Sequence, residues 1–146
     1  MKAHVVYYPV TFDDSLYNPE RHLNCPICGE MYLHQTEVVV YDRGEDEERC
    51  LVTSVLKGRT RTLEESGEDN PSRRRHGMTL EFWCEQECHE KHNLELCISQ
   101  HKGCTQLVWR CSPAHGFNGD VYDPRATYKQ EMAFEALLRM RAEGEG

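Results

Sequence analysis

Cys25-Pro26-Ile27-Cys28-Gly29 and, further along, Cys84-Glu85-Gln86-Glu87-Cys88 are the stretches on which the reading of this chain turns. Each has two or three residues between its cysteines, so that one tight turn offers two sulfurs to one ion. Pro26 pre-sets a turn dihedral, and Gly29 accepts the positive φ that backbone adopts where it wraps a sulfur. Tetrahedral Zn²⁺ takes four such ligands, and the spacing predicts that Cys25, Cys28, Cys84 and Cys88 bind one Zn²⁺. The second pair is the longer one and is followed at once by His89 and His92. His92, or His89, is therefore the alternative fourth ligand. Buried free cysteines acting as small hydrophobes are the plainer alternative. They fit poorly with the polar, turn-forming neighbours of the first pair. Four protein ligands close the coordination sphere and argue against metal-assisted hydrolysis, which needs a position for water.

The chain around these pairs has 146 residues, the usual size of one domain. Only 38% of them are hydrophobic, and the mean hydropathy is −0.74. A core that lean makes a metal cross-link more useful, because metal binding supplies folding free energy directly. No apolar run approaches the about 18–20 residues of a membrane span, and Val5-Val6-Tyr7-Tyr8 is too short for the core of a signal peptide. The chain thus reads as cytoplasmic with no membrane partner. Its eight cysteines then point to metal first and disulfides second. An exported disulfide protein is the alternative.

Period-2 alternation predicts a mainly β (α+β) fold, an antiparallel sheet with one C-terminal helix, in a single domain over 1–146. Residues 1–23 hold one strand, Val5–Val10, and a turn-rich stretch from Asp13 to Pro19. The zinc-clamped sheet spans 24–111. Met31–Tyr41 and Cys50–Leu56 read as a hairpin with an acidic tip, Asp42–Glu48. Residues 57–77 carry three glycines, a proline and many charges and read as a loop. Thr79–Phe82, Leu94–Ser99 and Thr105–Arg110 alternate as strands, with the second cysteine pair between the first two. Asp123-Pro124 reads as an N-cap followed by a first-turn proline, opening a helix over 123–142. Phe134, Leu137 and Leu138 then make an apolar face that either packs on the sheet, the expected outcome, or offers a surface to a partner.

With these residues in place the chain resembles the zinc-ribbon fold group, in which two cysteine knuckles at hairpin tips clamp one structural zinc. A looser resemblance spans roughly residues 25–110. Asn70-Pro71-Ser72-Arg73-Arg74-Arg75-His76-Gly77, Phe82-Trp83-Cys84-Glu85 and Gln100-His101-Lys102-Gly103 followed by Trp109 are similar to uncharacterised small zinc-ribbon-like proteins of bacteria and bacteriophages. The departure from that pattern is the extra residue in the second knuckle. The resemblance implies a fold and a metal, and no activity.

The formal charge of −8 weighs against a nonspecific nucleic-acid binder. The leading expectation is a non-catalytic binding protein with a protein partner, one whose surface is basic if the acidic tip steers it. Arg73, Arg74 and Arg75 are the candidate nucleic-acid contact, since guanidinium grips phosphate bidentately. Their plainer role is pairing with Glu64, Glu65, Glu68 and Asp69 nearby. Tyr7, Tyr8, Tyr32, Phe82, Trp83 and Trp109 are base-stacking candidates, or core. Cys50, Cys97, Cys104 and Cys111 are irregularly spaced; with His101 and His115 they offer a second metal site or a thiol–histidine pair. No nucleophile motif, phosphate loop or HExxH occurs, so no catalytic residue is assigned, and a metal or thiol enzyme stands as the alternative function.

Overall fold

The computed structural model describes residues 4–14 and 19–144. In chain order the elements are β1 (Val6–Tyr8), β2 (Phe12–Asp14), β3 (Arg21–Leu23), β4 (Leu33–Asp42), β5 (Arg49–Leu56), β6 (Arg59–Ser66), β7 (Gly77–Cys84), β8 (His92–His101), β9 (Cys104–Pro113) and α1 (Pro124–Gly144). Seven strands form one antiparallel sheet in the order β1-β9-β8-β7-β4-β5-β6, and β2 and β3 pair separately. The mainly β expectation with a C-terminal helix therefore holds. Of the turn-rich stretch expected from Asp13 to Pro19, residues 15–18 lie outside the described residues, and Asp13 and Asp14 belong to β2.

Two hairpins are made by paired positive-φ residues: Lys57 and Gly58 (φ 50° and 75°) between β5 and β6, and Lys102 and Gly103 (48° and 81°) between β8 and β9. A two-residue turn with both φ positive matches the right-handed twist of its strands. The first of these turns corrects the expectation of a loop over 57–77. Arg59–Ser66 is a full strand, in register with β5 from Leu56↔Arg59 to Arg49↔Ser66. It is exposed along its whole length. An edge strand wet on both faces needs no apolar alternation, and its charges protect the open edge.

Successive strand residues face opposite sides, so the sheet carries two cores of different character. On one face Phe82, Leu94, Trp109 and Cys111 pack with Cys25, Ile27, Cys84, Cys88 and Tyr122. Trp109 is fully buried and meets Phe82 edge-on at 5.6 Å. The other face is polar: Thr79, Glu95, Ser99 and Arg110 are buried there beside Cys97. Arg110 and Glu95 form an ion pair at 3.2 Å, and Arg110 Nη1 also donates to the Asp69 carbonyl at 2.9 Å. The segment 67–76 lies over this face. Asn70 Oδ1 accepts from the Ser72 amide at 2.9 Å and Asn70 Nδ2 donates to the Arg75 carbonyl at 2.9 Å. The backbone amide of Gln100 on β8 donates to Ser72 Oγ at 2.8 Å.

Asp123 caps α1, its Oδ1 accepting from the Ala126 amide at 3.1 Å. The expectation that the Phe134, Leu137 and Leu138 face docks on the sheet is overturned. Only the first two turns touch the body. Beyond Glu131, which is ion-paired to Lys91, every described residue of the helix is exposed, Phe134 at 61% and Met140 at 70%. Among the described residues no helix is long and apolar enough to cross a membrane.

Candidate metal centre

The register of β4 on β7 assembles the site. Leu33 pairs with Cys84, so the turn that precedes β4 lies beside the end of β7. The Tyr32 carbonyl accepts from the Glu85 amide at 3.1 Å and ties the two turns together. In the first turn the Cys25 amide donates to the Glu30 carbonyl at 2.7 Å and the Gly29 amide to the Cys25 carbonyl at 3.0 Å. Gly29 has φ of +82°, the conformation its lack of a side chain permits. In the second turn Glu87 takes that role, with φ of 63°. The extra residue of the longer knuckle is thus absorbed by one left-handed residue before Cys88, which then starts a short 3₁₀ turn, Cys88–Glu90.

The outcome is that the sulfurs of Cys25, Cys28, Cys84 and Cys88 all lie within 4.8 Å of one another. Cys25 and Cys88 approach to 3.5 Å and Cys28 and Cys84 to 3.4 Å. These are far beyond a disulfide bond of about 2.05 Å. They are near the edge of about 3.8 Å of a regular tetrahedron of sulfurs around a metal at about 2.3 Å. Three of the four residues are buried and Cys28 is half-buried. The donor set therefore fits a metal ion.

Proton sharing within the cluster leads to the same conclusion. Hydrogen bonds from Cys28, Cys84 and Cys88 hold the Cys25 thiol far below its ordinary range. Hydrogen bonding to Cys25 and Cys28 pushes Cys84 and Cys88 well up. Cys28 is lowered as well, so without a cation the first pair holds the negative charge and the second the protons; four thiolates in so small a volume need a positive charge between them.

Among the described residues these four cysteines are the one group placed to hold a metal. His92, the alternative ligand, is elsewhere: it is buried with Nδ1 2.5 Å from the Tyr122 hydroxyl. Burial lowers its pKa to about 4, so the ring is neutral, and its tautomer sets which of the two partners donates. The side chain of His89 lies outside the described residues. Cys50, Cys97 and Cys111 are buried and Cys104 is exposed; they do not converge. Burial pushes Cys111 up to about 12, which leaves it an inert thiol. His101 faces Cys104 across the β8–β9 hairpin, with no hydrogen bond between their side chains among the described residues.

Residues that spacing did not mark complete the surroundings. Arg125, in the first turn of α1, donates from Nε to the Pro26 carbonyl at 2.7 Å and lies 3.9 Å over the Tyr8 ring. The helix start thereby braces the first knuckle against β1. Only the Asp123-Pro124 helix signal hinted at this. The arginine run is also placed differently from expectation. Arg74 makes two bonds to Asp46, and Arg75 one to Glu45 at 2.8 Å, both on the acidic hairpin tip. Glu64 pairs instead with Arg49 at 3.1 Å. Of the aromatic candidates, Phe82 and Trp109 are core, Tyr8 is half-buried, and Tyr7, Tyr32 and Trp83 are exposed, Trp83 stacking on His34.

The first knuckle joins β3 of the small sheet to β4 of the large one and so is not a hairpin tip; the second joins β7 to β8, which pair. Comparison with protein families, with curated proteins and with solved structures gives no match.

Proposed function

We propose that this chain is a non-catalytic zinc-binding protein: the ion clamps the two knuckles, and the molecule acts by binding a protein partner. The four converging sulfurs carry the first half of the reading. A soft, tetrahedral, all-thiolate set suits Zn²⁺, and four protein ligands leave no position for a reacting water. The zinc would be a folding element, holding β7–β8 against the turn that leads into β4.

The outer part of α1 supports the second half. Phe134, Leu137 and Leu138 recur at i, i+3 and i+4 and are at least 47% exposed. That is the pattern of a helix laid in an apolar groove of another protein. Glu45 and Asp46 are engaged by Arg75 and Arg74, which weakens the case for the acidic tip as the steering element. The test is affinity capture with the full chain and with a Phe134→Glu/Leu138→Glu variant. Both should fold alike, since the sites are exposed, and one protein should be retained by the parent and lost by the variant. Equal capture by both, or none by either, would contradict the partner surface.

A further inference from the structure

A cleft of about 450 Å³ lies between the segment 71–75 and the β8–β9 turn, with Arg73, Arg74, Arg75, His101, Lys102 and Gln106 among its walls. No aspartate or glutamate lines it, in a chain that carries 25 of them. The concentration of cationic side chains without a carboxylate in the lining is thus local and runs against the net charge of the whole molecule.

The cleft is also held in shape. Ser72 is fully buried, hydrogen-bonded to the His76 carbonyl and to the Gln100 amide. Asn70 closes the segment on itself through the Ser72 amide and the Arg75 carbonyl. Below it, buried Arg43 donates through Nη2 to the Ser72 carbonyl, and its Nε has no partner. No carboxylate is ion-paired with Arg43 among the described residues. A buried guanidinium with no carboxylate in direct contact, Asp46 acting on it only at longer range, leaves a positive potential that burial strengthens. Within the cleft Arg74 and Arg75 are partly neutralised by Asp46 and Glu45. The side chains of Arg73, His101, Lys102 and Gln106 make no hydrogen bond or ion pair among the described residues, and they remain for a ligand.

We propose that this cleft binds a small phosphate-bearing molecule, with the Arg73 guanidinium and the Lys102 ammonium on the phosphate oxygens. Guanidinium offers a planar fork to phosphate and ammonium a point charge. The volume falls within the range of small-molecule sites, about 300–1,000 Å³. A pinned segment loses little freedom on binding. The net charge of −8 repels an extended polyanion, which favours a compact ligand over a nucleic-acid strand.

The probe is pyrophosphate, titrated calorimetrically into the purified metal-loaded chain, with metal content checked before and after. One saturable site is expected. Arg73→Gln and Lys102→Gln should each weaken it about tenfold or more, as loss of a charge-assisted contact does. Arg139→Gln, on the distant part of α1, should bind like the parent. Amide shifts in NMR should centre on residues 71–75 and 99–102. Absence of saturable binding, or the same affinity in the two cleft variants, would overturn the proposal. A single-stranded oligonucleotide binding more tightly than pyrophosphate through Arg73 and Lys102 would also overturn it and give the cleft to a nucleic-acid backbone.

Discussion

Gly77 opens β7 beneath the segment 67–76, and a Cβ there would lie 2.1 Å from Asn70 Oδ1 and 3.0 Å from the Pro71 ring. The amide of Asn70 is pinned by two hydrogen bonds, so it cannot swing away without freeing Ser72. Gly77→Ala should therefore cost about 1–3 kcal/mol in urea unfolding, with the loss centred on this segment. An unchanged midpoint would mean that the segment is loosely held. His92 carries a second prediction at this scale. Its pKa is depressed to about 4 by burial, against about 6.5 when unfolded. The unfolded chain thus binds more protons than the folded one between these values, and stability falls as pH drops from about 6.5 towards 4. His92→Gln, which cannot protonate, should flatten that part of the stability–pH curve; a slope equal to the parent's would remove His92 as its source.

At the level of elements, α1 divides at Glu131. Its first turns are capped by Asp123 and anchored by Arg125 on Pro26, whereas the remainder buries nothing. Ending the chain after Glu131 should leave the unfolding midpoint within about 0.5 kcal/mol of the parent, and amides beyond that point should exchange fast in the full chain. A large drop in stability would show that the outer helix packs on something in the isolated protein. This is also where reading the sequence went furthest astray. Periodicity located the helix and its cap, because both are local. It could not say whether the apolar face had anything to rest on, because that depends on where the helix leaves the sheet. The strands β7 and β8 were legible from alternation over a half-buried face, β9 from Leu107 and Trp109 on one face, and β4 and β5 from β-branched runs on either side of a charged turn. Arg59–Ser66 was not, since a doubly solvated edge strand has no apolar period; the Lys57-Gly58 turn was its only sign. The four cysteines were legible from spacing and local turn chemistry. The brace of Arg125, the buried Arg110–Glu95 pair and the cleft beside Arg73 join residues far apart in sequence, and no local pattern encodes them.

For the whole molecule, the lean apolar core sits on one face of the sheet and is continuous with the cysteine cluster. The metal would thus complete that core as well as join the knuckles. Structural zinc in small folds contributes about 10–16 kcal/mol of apparent binding free energy, comparable with the whole stability of a domain, about 5–15 kcal/mol. Removing the ion by a strong chelator should accordingly unfold the apolar half of the sheet and expose Trp109, seen as a red shift of its fluorescence. The most direct test is elemental analysis of the purified chain and of its Cys88→Ser variant. One zinc per chain in the parent, and none in the variant, is the predicted result. No metal, iron in place of zinc, or a full equivalent of zinc retained by Cys88→Ser would contradict a structural zinc held by Cys25, Cys28, Cys84 and Cys88.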